Sequence, residues 1–187
     1  MRGLLLIFIA SLIVPAPAEA TENIALPPFR SIELRGGGDL SIVPGPVQRV
    51  TIIRGSAQVT RFRMREGSRL EIDVCEGRCP RNYNLEVRIE SPRVPDVAIA
   101  GGGLITAAGR FAAQGRLAVA IDGGGKIDVR AVEAREVSAA INGGGQISVR
   151  PRASLSAAVN GGGEIRYSGN PHVTSAVHGG GAVHRGD

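Results

Sequence analysis

AIAGGGLI (98–105), AIDGGGKI (120–127), AINGGGQI (140–147), AVNGGGEI (158–165) and AVHGGGAV (176–183) decide how this chain folds. Their glycine triplets begin at 101, 123, 143, 161 and 179, so the repeat advances in steps of 22, 20, 18 and 18 residues. A sixth copy, LRGGGDL (34–40), stands apart near the N-terminus. Self-similarity at a fixed period near twenty residues marks a stacked-coil architecture, in which each unit contacts only its neighbours.

The repeats read by column. Ile105, Ile127, Ile147, Ile165 and Val183 follow the triplets by two residues, and Ile99, Ile121, Ile141, Val159 and Val177 precede them by two. Strand side chains alternate between faces, so Val119/Val129, Ala139/Val149 and Ala157/Tyr167 are predicted to point inward as well. Each unit is therefore strand, glycine turn, strand, second turn. The second turns are expected around Val132–Arg135, Pro151–Ala153 and Ser168–Pro171, where variation in length absorbs the changes of step. No single unit can bury its own apolar face, whereas stacking at about 4.8 Å makes ladders of Ile on Ile.

Upstream, short alternating runs separated by turn residues predict strands at Arg30–Leu34, Leu40–Val43, Val50–Ile53, Val59–Arg65, Leu70–Val74 and Leu85–Ile89. Residues 21–28 (TENIALPP) read as an unpaired leader, and Arg61, Arg63 and Arg65 share one face, a charged edge or a solvated side. No useful stretch carries a 3.6-residue period, so no helix is expected.

The chain opens with a positive Met1-Arg2, a short apolar run from Leu4 to Val14 and a small-residue exit at Ala18-x-Ala20, the pattern of a removable export signal. That run is too short for a bilayer span, which takes about 20 residues. The expected organisation is a signal peptide over 1–20, an N-terminal β-strand region over 21–95 and a repeat region over 96–187, the last two continuous as one unit. The mature chain is expected to be exported to the periplasm or cell surface, with no transmembrane segment. Among the 187 residues there are 27 glycines, no Trp and only 3% aromatics, which suits thin aliphatic layers. The net charge of +5 favours an anionic glycan or lipid head group, while the export signal and the shortage of stacking rings argue against nucleic acid. Cys75 and Cys79 are the only cysteines, and an oxidising compartment makes a local disulfide their expected state.

The triplets between alternating strands, and the closing segment Ile165-Arg-Tyr-Ser-Gly-Asn-Pro171 before AVHGGGAV, resemble the head GIN domain family of autotransporter-type adhesins. The resemblance runs from about Phe29 to Val183, and the Tyr-x-Gly-Asn-Pro segment is its most specific part. Relatives mostly carry serine in the middle of the triplet, where this chain has glycine throughout. The resemblance implies a two-sheeted, right-handed parallel β-helix, similar in shape to pectin lyase-type folds but without their catalytic residues. The expected fold is thus all-β: about five two-strand coils preceded by a short N-terminal β region.

Several constellations bear on function. Asp122, Asn142, Asn160 and His178 form a polar column at the turn edge; a ligand ladder is one reading, and local satisfaction of turn backbone is the simpler one. Asp122 and Asp128 could face each other across a turn, but neighbouring coils place Asn142/Ser148 and Asn160/Arg166 there, so carboxylates do not accumulate as glycoside cleavage needs. His172, His178 and His184 are the only candidates for a terminal metal site, and Arg185-Gly186-Asp187 matches a tripeptide read by animal adhesion receptors, a match of three residues taken as chance. No catalytic residue, cofactor site or metal site is assigned. The residues outward before the triplets are small and nearly uncharged, including Ala98, Ala120, Ala140, Ala158 and Ala176, the candidate docking face. Those after the triplets, such as Lys126, Asp128, Arg130 and Glu164, make an ordinary charged surface. The function expected is a non-catalytic envelope or surface binding module, with adhesion as the leading role. The alternatives are a structural, homo-oligomer-forming envelope protein and, less favoured, a carbohydrate-active enzyme on a β-helix scaffold.

Overall fold

A computed structural model describes residues 21–65 and 67–186. The expected signal peptide, and Asp187 of the terminal tripeptide, lie outside these residues. The described residues contain no helix and seventeen strands. The N-terminal region supplies β1 (Glu22–Ile24), β2 (Ser31–Arg35), β3 (Asp39–Pro44), β4 (Arg49–Arg54), β5 (Arg61–Arg65), β6 (Arg69–Asp73) and β7 (Glu86–Ser91). The repeats supply β8 (Asp96–Gly101), β9 (Leu104–Ala107), β10 (Gln114–Gly123), β11 (Lys126–Asp128), β12 (Ala134–Gly143) and β13 (Gln146–Val149), then β14 (Pro151–Gly161), β15 (Glu164–Tyr167), β16 (His172–His178) and β17 (Ala182–Arg185).

These strands form two sheets. The eight-stranded sheet runs β16-β14-β12-β10-β8-β2-β6-β5, and the nine-stranded sheet runs β1-β4-β7-β3-β9-β11-β13-β15-β17. Every glycine triplet carries the chain from the first sheet to the second. From β2 to β16 and from β3 to β17 each pairing is parallel, and the repeat registers are in step: Ile121 lies opposite both Ile99 and Ile141. The predicted columns, as far as Val159 and Ile165, are therefore the core, while Val177 at their end is exposed. Leu34, Ile99, Ile121, Ile141 and Val159, and across from them Leu40, Ile105, Ile127, Ile147 and Ile165, are all buried.

One triplet shows why glycine is needed. Gly123 has φ +127°, and a Cβ there would overlap the carbonyl oxygen of Gly101 in the preceding turn. At Gly125 an added Cβ would lie 2.8 Å from the Ile99 side chain, whereas at Gly124 it would meet nothing. The open middle position therefore has room for a small side chain. Stacked turns also bond to one another: the amide of Gly124 donates to the Gly101 oxygen at 2.9 Å, and that of Lys126 to Gly103 at 2.9 Å.

Three expectations change. The sixth triplet does not stand apart in space: Gly36 donates to the Ala100 oxygen at 3.0 Å and Leu104 to the Gly38 oxygen at 2.9 Å, so Gly36–Gly38 stacks directly on Gly101–Gly103. The stretch 21–28 is not wholly unpaired, because β1 lies antiparallel to β4 with Asn23 opposite Thr51. Pro151–Ala153 belongs to β14 and not to a turn; the register shift opposite Ala134 and Glu136 is a bulge that absorbs the extra residue within the strand.

The N-terminal region completes the stack. β6 pairs in parallel with β2, and β7 with β3, so this pair forms a rung beyond β2 and β3 although it follows them in sequence. β5 then folds back antiparallel on β6, and β4 antiparallel on β7.

Candidate functional site

The outer face of the eight-stranded sheet brings the alanine column together. Ala98, Ala120, Ala140, Ala158 and Ala176 lie in direct register on five adjacent strands. All but the half-buried Ala98 are exposed. Beyond Ala98 the same column continues into Glu33 and then Glu71. One side of the alanines is flanked by Asp96, Ala118, Ser138, Ser156 and Thr174, and the other by Ala100, Asp122, Asn142, Asn160 and His178.

The polar column is a side-chain ladder. Asn142 donates to the Asp122 carboxylate at 3.1 Å, and Asn160 donates to the Asn142 side-chain oxygen at 3.4 Å. These amides bond along the stack, from rung to rung. The simpler reading from sequence, in which each side chain satisfies its own turn backbone, overlooked that identical registers place like residues side by side.

On the other flank a shallow groove of about 520 Å³ runs across Asp96, Arg116, Ala118, Glu136, Ser138 and Thr174. Arg116 and Glu136 form a pair at 3.0 Å on its outer wall, and Asp96 accepts a hydrogen bond from the Ala118 amide at 2.8 Å. The sequence reading missed Arg116 and Glu136. They lie one alternation upstream of Ala118 and Ser138, so extending the column by two residues would have found them.

At the β5 end the same face turns ionic. The Glu71 side chain, only 5% exposed, has Arg35, Arg63 and Arg65 within 4 Å, Arg65 at 2.8 Å. The hydrogen bond from Arg65 is the main reason its carboxyl is held below its ordinary value, against the opposing effect of burial. Arg61 and Arg63 also hold Glu76, and Arg63 holds Asp73 at 2.7 Å. The three arginines noted in the sequence are thus partners in a lattice on an edge strand.

The other candidates separate. Asp122 and Asp128 stand in different sheets, and Asp128 is held by Arg130 at 2.6 Å, so they do not form a pair of free carboxylates. His172 and His178 sit at opposite ends of β16, about 20 Å apart at about 3.3 Å per residue. His184 bonds instead to Glu164, the contact that chiefly raises its pKa. Among the described residues no three His, Cys, Asp or Glu side chains converge as a metal site requires. Cys75 and Cys79 are joined as a disulfide in the loop between β6 and β7. No helix among the described residues is long and apolar enough to cross a membrane.

Residues 96–171, spanning β8 to β15, match the family model described as "Putative auto-transporter adhesin, head GIN domain". Over that stretch the chain is similar to a head GIN domain. Among solved structures, a "putative adhesin" from Bacteroides fragilis is 18% identical, covering 89% of this chain and 96% of its own, with a TM-score of 0.55. At that identity the likeness concerns the fold alone, and it covers most of the chain. A "putative cell adhesion protein" from Clostridium sporogenes is 12% identical over 89% of this chain and 98% of its own, at a TM-score of 0.41. No protein of curated function matches the chain.

Proposed function

We propose that this protein is an exported, non-catalytic binding module of the cell envelope, and that it docks an extended partner along the outer face of the eight-stranded sheet. The observation that carries this reading is the alanine column, uncharged and in register over five strands beside a groove with hydroxyl and charged walls. A flat, repetitive surface suits a flat, repetitive ligand. Ser138, Ser156 and Thr174 offer hydroxyls on three successive rungs, Arg116 offers a cation, and the net charge of +5 favours an anionic glycan. The head GIN family description and the adhesin-like fold support surface adhesion as the setting. On this reading residues 1–20 are the export signal, and 21–187 fold as one unit. The winding is read as a right-handed parallel β-helix, supported by the parallel registers and by the strong right-handed preference of parallel crossovers.

Binding of sulfated and uronic-acid polysaccharides, measured by calorimetry at low and physiological salt, tests the proposal. Ala140→Glu should weaken binding at least tenfold without changing the circular dichroism spectrum, and Arg116→Ala should weaken it less and reduce its salt dependence. Unchanged affinity in both variants, or no binding to any such polymer, would overturn this assignment of the face.

A further inference from the structure

The two ends of the stack are finished differently. At one end the outermost strands are β1, of three residues, and β5, whose arginines are tied into ion pairs. Short strands and edge charges are the means by which sheets avoid pairing with other chains. At the other end β16 pairs with β14 on one side, and its other edge has no partner among the described residues. Its seven residues include no Lys, Arg, Asp, Glu or Pro. Val177 continues the core column of Ile141 and Val159, which are 2% and 1% exposed, yet it is itself 40% exposed. The neighbouring β17 ends in His184 and Arg185, so β16 is the uncharged edge of the two.

The sequence of β16, His172-Val-Thr-Ser-Ala-Val-His178, reads almost the same in both directions. An interface on a two-fold axis must be self-complementary, each residue i meeting j as j meets i. Antiparallel pairing of β16 with a second copy, centred on Ser175, meets that condition residue by residue. Ser175 faces itself, Val173 faces Val177, Thr174 faces Ala176 and His172 faces His178. Directly opposite residues share a face in an antiparallel pair, so the valines meet on the core side of the sheet. We propose that β16 is a homodimer interface, through which two copies of this chain join edge to edge and make their eight-stranded sheets continuous. The pairing bonds the free backbone edge and covers Val177, and it leaves the alanine faces of both copies open. The dimer would then present two such faces, a separate matter from what binds to them.

Sedimentation of the chain from Thr21 onward, at about 100 µM, should give twice the chain mass. Ser175→Lys, which sets a charge against its own copy, should return the single-chain mass with an unchanged circular dichroism spectrum. Ala140→Glu should leave the dimer intact. A cysteine scan keeps the test open if the lysine variant does not fold. Strand partners lie about 4.5–5.5 Å apart at Cα, within disulfide range. Ser175→Cys should therefore cross-link to itself on mild oxidation, whereas Thr174→Cys should cross-link efficiently only when mixed with Ala176→Cys. A monomer at that concentration would overturn the proposal. So would a dimer that Ser175→Cys fails to cross-link, or one that Ala140→Glu dissociates.

Discussion

The β5–β6–β2 end of the eight-stranded sheet and the β8–β16 portion share one backbone plan and stabilise it with different chemistry. In the repeats the rungs are joined by backbone ladders, glycine turns and small side chains, and the outer surface carries little charge. At the N-terminal end the face is a lattice in which Arg35, Arg63 and Arg65 surround Glu71, with Arg61, Asp73 and Glu76 at its rim. Repetition explains the contrast. A residue repeated on adjacent parallel strands stands directly beside its copies, so a charge there would meet like charge at every step. Alanine, serine and asparagine avoid that cost. The unrepeated strands are free to mix both signs, and they use the freedom to block an edge.

The sharpest way to break the repeat portion is at a turn. Gly143→Ala should cost about 3 kcal/mol or more, because φ +127° disfavours a side chain and the new Cβ would overlap the Gly123 carbonyl. In a chain of this size that lowers Tm by roughly 6–12 °C. Gly144→Ser, one residue away, should change stability by no more than about 0.5 kcal/mol, since nothing lies within 4 Å of the added Cβ. Thermal unfolding of the two variants side by side reads both effects. Equal losses would mean that the turns are not stacked as described.

The ionic end should answer to pH where the repeat end does not. Glu71 has a folded pKa below its ordinary 4.5, so its contribution is fully present above that value and is lost as pH falls through the depressed one. Glu76 is lowered in the same sense, chiefly by its hydrogen bond with Arg63. Glu71→Gln should therefore lower Tm at pH 7 by several degrees, and the difference should shrink as pH falls below 4.5. A gap between the two proteins that stayed constant from pH 7 to pH 3 would show that the loss came from packing and not from charge.

Much of the repeat portion was legible because period and alternation act together. Ile99 to Val177 and Ile105 to Val183 named the core columns, and the residues between them named the outward alanines. What pattern could not supply was the order in space. Nothing local in Leu34–Leu40 says that its triplet stacks on Gly101, because the intervening chain forms its own rung and returns. The strand β1 escaped notice for a related reason: three residues carry too little alternation, and their pairing with β4 is set by position. The asparagine ladder and the Arg116–Glu136 wall depend on register between strands, which a single strand does not contain. Self-pairing of β16 is the reverse case, because its near-palindrome is written in the sequence but has meaning only once the strand is known to be an edge.

The smallest expected effect separates the disulfide from the lattice beside it. Cys75 and Cys79 are four residues apart, so their bridge closes a very short loop and removes little entropy from the unfolded chain, under about 2 kcal/mol. The loop has other ties: the Glu76 amide donates to the Val59 oxygen at 3.0 Å, and its carboxylate is held by Arg61 and Arg63. Replacing both cysteines by serine should thus lower Tm by only a few degrees, and less than Glu71→Gln does at pH 7. Adding Glu76→Gln to that double variant should cost more than it does in the wild type, since the loop then loses its second restraint. Strict additivity would show that bridge and lattice hold the loop independently.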